Sequence, residues 1–182
     1  MSELSVGALS GLAANSYVID VASGSTLDLS AGAVLPAGSI LQVVSTTKTD
    51  TFSTTSTSFV DVTGLSATIT PRSTSSKIYV IANVIAGNNN ASGSMRLNLV
   101  RNSTNIAQPS GGIVNSTAQI YTNNINAGVG VPLSFLDSPN TTSSVTYKLQ
   151  TAVYGSGTAF IGRIAIADER SVSSITLIEV AG

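Results

Sequence analysis

The chain has no cysteine, no histidine and no tryptophan among its 182 residues. Each absence closes off a class of chemistry. Without cysteine there is no disulfide framework, no thiol nucleophile and no cysteine-held zinc, and the redox compartment is not legible. Without histidine the commonest general base and the commonest metal ligand are gone. Charge is scarce as well: 9% of residues are Asp, Glu, Lys or Arg, against about 25% in an ordinary globular domain. The basic residues, Lys48, Arg72, Lys77, Arg96, Arg101, Lys148, Arg163 and Arg170, stand singly, and the net charge is −1. No cationic track exists to follow a phosphate backbone, so nucleic acid is not an expected partner. No apolar run approaches the roughly 18 residues that cross a bilayer, so no membrane partner is expected either. The opening "MSELSVGALSG" lacks a basic stretch followed by a continuous apolar one. No secretory signal is read there, and the chain is expected to be made in a cytoplasm.

What is present is apolar and hydroxylic. Hydrophobic residues make up 42% of the chain, too many for a disordered segment of this low charge. Solubility rests on 29 Ser, 21 Thr and 13 Asn rather than on ionised groups. Thr, Val and Ile are β-branched and suit a pleated, half-buried surface, whereas straight-chain helix formers are few. The expected fold class is all-β.

Residues 1–45 differ from the rest. Short apolar pieces alternate with Gly, Ser and Pro, and "SYVIDV" and "STLDLS" read as strands too brief to bury much surface alone. Leu4, Val6, Leu9 and Leu12 are expected to form a small apolar stripe. Such a segment lies on a larger neighbour, winds with identical copies, or is the ordinary first strand and loop of one domain. From residue 46 turn residues bound a regular series of strand candidates, among them "KIYVIANVIAG", "MRLNLVRN", "QIYTNN", "VPLSFLDS", "SVTYKLQTAVYG" and "SSITLIEVAG". "KIYVIANVI" is apolar at both parities, which predicts a central strand covered on both faces. "TDTFSTTSTSFVDVTG", residues 49–64, reads as strand, turn, strand: a solvated hairpin with Phe52, Phe59 and Val60 or Val62 turned to the core. About ten short antiparallel strands predict a jelly-roll-like antiparallel β-sandwich over 46–182, preceded by a short β-rich N-terminal segment over 1–45.

Motifs of catalysis are weak. Asp168 and Glu169 are the one adjacent carboxylate pair, but neighbours on a strand point to opposite faces, and a solvated loop cluster is the simpler reading. Ser45–Lys48 has Ser-x-x-Lys spacing, a chance match in so serine-rich a chain, since that chemistry normally uses a helix to join the two groups. No enzyme activity, no cofactor and no metal is expected. The sequons at Asn90, Asn102, Asn115 and Asn140 follow from composition. Asn88, Asn89 and Asn90, near Ser92 and Ser94, are expected at a polar loop tip on the outer surface, where amides could hydrogen-bond a sugar.

From about residue 39 onward the chain resembles a family common among virion proteins of tailed bacteriophages, especially marine and cyanobacterial ones. The stretches that carry the resemblance are "GSILQVVSTTKTDTFSTTSTSFVDVTGLSATITPRSTSSKIYVIANV", "MRLNLVRNST", "SFLDSPNTTSSVTYKLQTAVYGSGTAFI" and "SITLIEVAG". It implies a virion surface structural module, a homotrimer with a β-sandwich head: a capsid decoration, cement or head-fibre protein, or a tail-fibre tip. Only some 40 residues precede the matching part, short for a fibre shaft, which favours decoration of the outer capsid. Leu4, Val6, Leu9 and Leu12 are then expected to attach the protein to the virion. The implied partners are copies of itself and the major capsid protein or other virion proteins. The alternative is an adhesin that binds host surface glycans.

Overall fold

The computed structural model describes residues 35–90, 93–112, 115–121, 128–164 and 169–182, all within the unit Leu35–Gly182. Leu4, Val6, Leu9, Leu12 and Asp168 lie outside the described residues. Among the described residues there are eleven strands: β1 (Ile40–Lys48), β2 (Phe52–Thr54), β3 (Val60–Ile69), β4 (Lys77–Asn88), β5 (Ser94–Arg101), β6 (Thr104–Ile106), β7 (Ala118–Tyr121), β8 (Gly128–Asp137), β9 (Val145–Tyr154), β10 (Ala159–Ile161) and β11 (Ser173–Val180). Every pairing between them is antiparallel.

The two sheets follow one plan. In the first, β8 pairs with β4 from Ile78 to Gly87. The other edge of β4 is divided between β11, which faces Lys77–Asn83, and β10, which faces Ala86–Asn88. β1 and β2 extend these outward. In the second sheet, β9 pairs with the whole of β5 and is flanked by β3. The other edge of β5 is divided between β7 and β6. Side chains cover both divisions, so buried backbone groups stay paired. Ser173 Oγ accepts the Ile85 N–H at 3.1 Å. Thr117 Oγ1 accepts the Leu99 N–H at 2.9 Å.

Period-2 alternation builds the core between the sheets. Ile78, Val80, Ala82, Val84 and Ala86 of β4, with Ile175 and Leu177 of β11, face Met95, Leu97 and Leu99 of β5 and Val145, Tyr147, Leu149 and Val153 of β9. In β3 both Val62 and Leu65 are buried despite opposite parity. A register shift between Asp61 and Ser66 allows this, and Gly64, at φ 80°, takes the left-handed position. Thr63-Gly64 is therefore a bulge within one strand and not a turn between two.

Three sequence expectations change. "TDTFSTTSTSFVDVTG" is not a hairpin: β2 pairs with β10 in the first sheet and β3 with β9 in the second, so the polar run carries the chain from one sheet to the other. Backbone bonds tie it down, with the Val153 N–H donating to Ser56 O at 2.8 Å. Phe52 packs against the core and Val62 lies within it, whereas Phe59 is half-buried outside the cluster. β1 straddles position 45, so residues 40–45 belong to the sheet. β4 is central in its hydrogen bonding, yet its second face is not covered: Tyr79 and Asn83 are exposed and Ile81 and Ile85 only half-buried.

Candidate functional site

The outward positions of the two sheets differ in chemistry. On the first sheet the register aligns Val43 with Ile178, Ile178 with Tyr79 and Tyr79 with Leu136. One apolar row thus crosses β1, β11, β4 and β8. Val43, Tyr79 and Leu136 are 57%, 37% and 55% exposed, and Ile40, opposite Val180 at the β1 end, is 62% exposed. The next row contributes Ile81 between Thr176 and Ser134. Lys77 lies at one end of this face and donates to Ser138 Oγ at 2.9 Å. Contiguous exposed apolar side chains rimmed by hydroxyls are the signature of a surface that meets another molecule.

Directly behind that row is an inward one, Gln42, Glu179, Ile78 and Asp137. Its two carboxylates brace the sheets. Asp137 accepts from Arg101 Nη1 at 3.0 and 2.8 Å and from the Tyr147 hydroxyl at 2.7 Å. Burial pushes the Tyr147 phenol well above its usual pKa, and the Asp137 charge pushes it further. The hydroxyl therefore keeps its proton and donates it to Asp137. Glu179, fully enclosed, accepts from the Arg72 N–H at 2.7 Å and from Gln42 Nε2 at 2.5 Å. Burial alone would raise its pKa, but these bonds and the nearby Arg72 charge outweigh it and hold Glu179 below the ordinary glutamate value. Gln42 Nε2 also donates to Thr70 O. These bonds lie directly behind the outer row.

The outward face of the second sheet is polar and internally paired. Asp61 accepts from Lys148 Nζ and Gln150 Nε2, each at 2.7 Å, and the first of these bonds chiefly lowers its pKa. Thr68 meets Thr146 at 2.8 Å, and Gln108 Nε2 donates to Asn98 Oδ1 at 2.8 Å. Two large side chains stand out from it: Tyr121, 65% exposed, and Tyr154, 57% exposed. The Arg96 guanidinium lies 4.1 Å from the centre of the Tyr154 ring.

The expected outer loop at Asn88, Asn89 and Asn90 is more structural than its composition suggested. Asn88 is 1% exposed. Its Oδ1 accepts the Asn90 N–H at 2.8 Å, Asn89 Oδ1 accepts the Thr158 N–H at 2.7 Å, and Asn90 Nδ2 donates to the Ser156 carbonyl at 3.0 Å. These amides clasp the turn after β9. Ser45 and Lys48 lie on opposite faces of β1, Lys48 buried and bonded to Asp50 at 2.7 Å, so the two never meet. Glu169 is exposed. Among the described residues no group of three or more acidic side chains is placed to hold a metal ion. Two sequon asparagines, Asn102 and Asn140, have φ values of 53° and 52° and serve left-handed turn positions. The tyrosines, Arg96 and the Val43 row were not singled out in the sequence. Their signal is outward parity, which becomes visible only once strand partners are known.

The fold so defined is an antiparallel two-sheet β-sandwich. No protein-family model matches the chain, and no curated protein does either. Among solved structures it is similar to the VP2 subviral particle of infectious bursal disease virus, with TM-score 0.41 and 12% identity, over 77% of this chain and 41% of that one. It is also similar to the T=1 particles derived from infectious bursal virus, with TM-score 0.43 and 12% identity, over 87% of this chain and 44% of that one. The chain thus spans less than half the length of each.

Proposed function

We propose that the protein is a virion structural protein: a homotrimeric capsid decoration protein whose copies meet through the outward face of the first sheet. The apolar row Val43, Ile178, Tyr79 and Leu136 carries this reading. "KIYVIANVI" has the composition of a strand covered on both faces, and a single chain leaves one of them partly open. A second copy supplies the missing cover. Exposed apolar groups lie at both ends of the row, Ile40 and Val43 on β1 and Tyr79 and Leu136 on β4 and β8. A threefold rotation brings unlike ends together and closes the ring, as a heterologous cyclic contact requires. The face carries little charge to repel a copy or to desolvate. Pro132, outward on β8 opposite Asn83, blunts that edge against open-ended strand addition, so association through the face is favoured over association through the edge.

The sequence resemblance to tailed-phage virion proteins supports the place of action, the particle surface, after synthesis in a bacterial cytoplasm. It also supports the major capsid protein as the partner, with Leu4, Val6, Leu9 and Leu12 as the attachment stripe. Labelling intact particles with an antibody to this chain tests that reading. Signal distributed over the capsid in many copies is expected, and signal confined to the tail tip overturns it. The second reading, a tail-fibre tip or adhesin for host glycans, draws on the two exposed tyrosines of the second sheet.

A further inference from the structure

We propose that the outward face of the second sheet, at the ends of β5, β7 and β9, is a binding site for an acidic oligosaccharide. Ser94 is opposite Tyr154 on β9 and opposite Tyr121 on β7. The three residues therefore share one face, with a tyrosine on either side of the serine. Two strand spacings of about 4.8 Å set the tyrosine backbones roughly 10 Å apart, a separation two linked sugar rings can bridge. Both rings are largely open to solvent. An aromatic ring with an exposed face and a polar tip suits the apolar C–H face and the hydroxyl rim of a pyranose.

The polar groups between them are arranged for the same ligand class. Gln119 Nε2 donates to Ser94 Oγ at 3.2 Å, which orients that hydroxyl. Arg96, two residues along β5 from Ser94 on the same face, stacks on Tyr154 and holds its ring in place. Its Nε is enclosed without a hydrogen-bond partner, and so is Asn98 Nδ2, in a side chain that is 1% exposed. Lys48, Arg101 and Lys148 each have a carboxylate partner. Arg96 has none among the described residues, so the platform carries one cation that no described side chain neutralises. Neutral sugar chains leave that charge unanswered, whereas a uronic acid answers it with a planar carboxylate that a guanidinium can bind in two-point fashion. A nucleic acid would need a row of such cations, and the nearest lysine on β9, Lys148, is opposite Val100, four residues along β5 from Arg96, and already paired with Asp61.

This site deepens the glycan-binding reading, on which it rests, and stands or falls independently of association through the first sheet. The test titrates the intact protein with trisaccharides of galacturonate, mannuronate and glucuronate, and with neutral maltotriose, following heat and tyrosine fluorescence. At least one uronate trisaccharide is expected to bind saturably and about tenfold more tightly than maltotriose. Tyr121→Ala and Tyr154→Ala should each weaken that binding about tenfold, Tyr154→Phe should retain it, and Arg96→Gln should abolish the preference for the charged sugar. Circular dichroism of each variant separates loss of the site from loss of the fold. No saturable binding by any of the uronates, or binding untouched when both tyrosines are replaced in a folded protein, overturns the proposal.

Discussion

Tyr79 and Leu136 face each other across β4 and β8 on the outward side of the first sheet, one step along the strands from Ile78 and Asp137 on the inward side. Front and back of the same strand pair thus do opposite things. On the inward step Ile78 joins the core and Asp137 locks the two sheets together through Arg101 and Tyr147. The outward step is apolar and partly open, with Tyr79 37% and Leu136 55% exposed. An anchored, uncovered apolar row is what an assembly contact needs, because its geometry exists before the partner arrives and little ordering cost remains to be met.

The Arg101–Asp137–Tyr147 brace makes a direct stability prediction. Arg101→Met leaves the Asp137 carboxylate enclosed with one remaining donor, and removing one partner of a buried pair costs about 3–5 kcal/mol. Arg101 keeps a quarter of its side chain in solvent, so the low end, about 3 kcal/mol, is expected. Tyr147→Phe should cost less, about 1.5–3 kcal/mol for one hydrogen bond to a charged group. Urea denaturation of both variants checks the order.

Glu179 predicts an acid limb in stability. Its folded pKa is held below the ordinary value of 4.5. A depressed carboxyl contributes stability that is fully present above the unfolded value and is lost as pH falls through the folded one. The melting temperature should therefore decline below about pH 4.5 more steeply in the parent than in Glu179→Gln. The variant should be less stable at neutral pH, where the Arg72 N–H and Gln42 lose their charged acceptor. Melting curves from pH 7 to pH 3 decide it; parallel profiles contradict the assignment.

The asparagine clasp predicts a strained substitution at Gly157. That residue has φ 110°, and a Cβ there would lie 2.8 Å from Asn88 Oδ1 and 2.7 Å from Asn90 Cβ. Gly157→Ala should destabilise by about 1–3 kcal/mol, the scale of one residue forced into a sparsely populated backbone region. Gly155→Ala shares the positive φ, but nothing lies within 4 Å of its added Cβ, so it should cost less. Thermal unfolding of the two variants separates steric crowding from backbone strain.

Much of the sandwich was legible from alternation, and the reasons for the rest are specific. "MRLNLVRN" and "SVTYKLQTAVYG" announced their inward faces, because Leu97, Leu99, Tyr147 and Leu149 recur at period two. The same pattern is silent about partners. Phe52 and Val62 looked like two sides of a hairpin because only a short polar run separates them, yet β2 and β3 join different sheets. β1 passed for part of the N-terminal segment because "ILQVVSTTK" offers one weakly apolar side to a single neighbour, β11. The functional surfaces were the least legible. Val43 and Leu136 lie 93 positions apart in sequence and come into one row only through β11 and β4, and Tyr121 and Tyr154 come together only through Ser94.

Copies of this chain are expected to associate through the Val43, Ile178, Tyr79 and Leu136 row. Sedimentation equilibrium of the intact chain at micromolar concentration, beside Tyr79→Ser/Leu136→Ser, tests it most directly. Burying a leucine-sized side chain is worth about 1.5–3 kcal/mol, so losing two per subunit should shift association by several orders of magnitude. A trimer is expected for the parent and a folded monomer for the double variant. A parent that sediments as a monomer, or a double variant that remains trimeric, contradicts it.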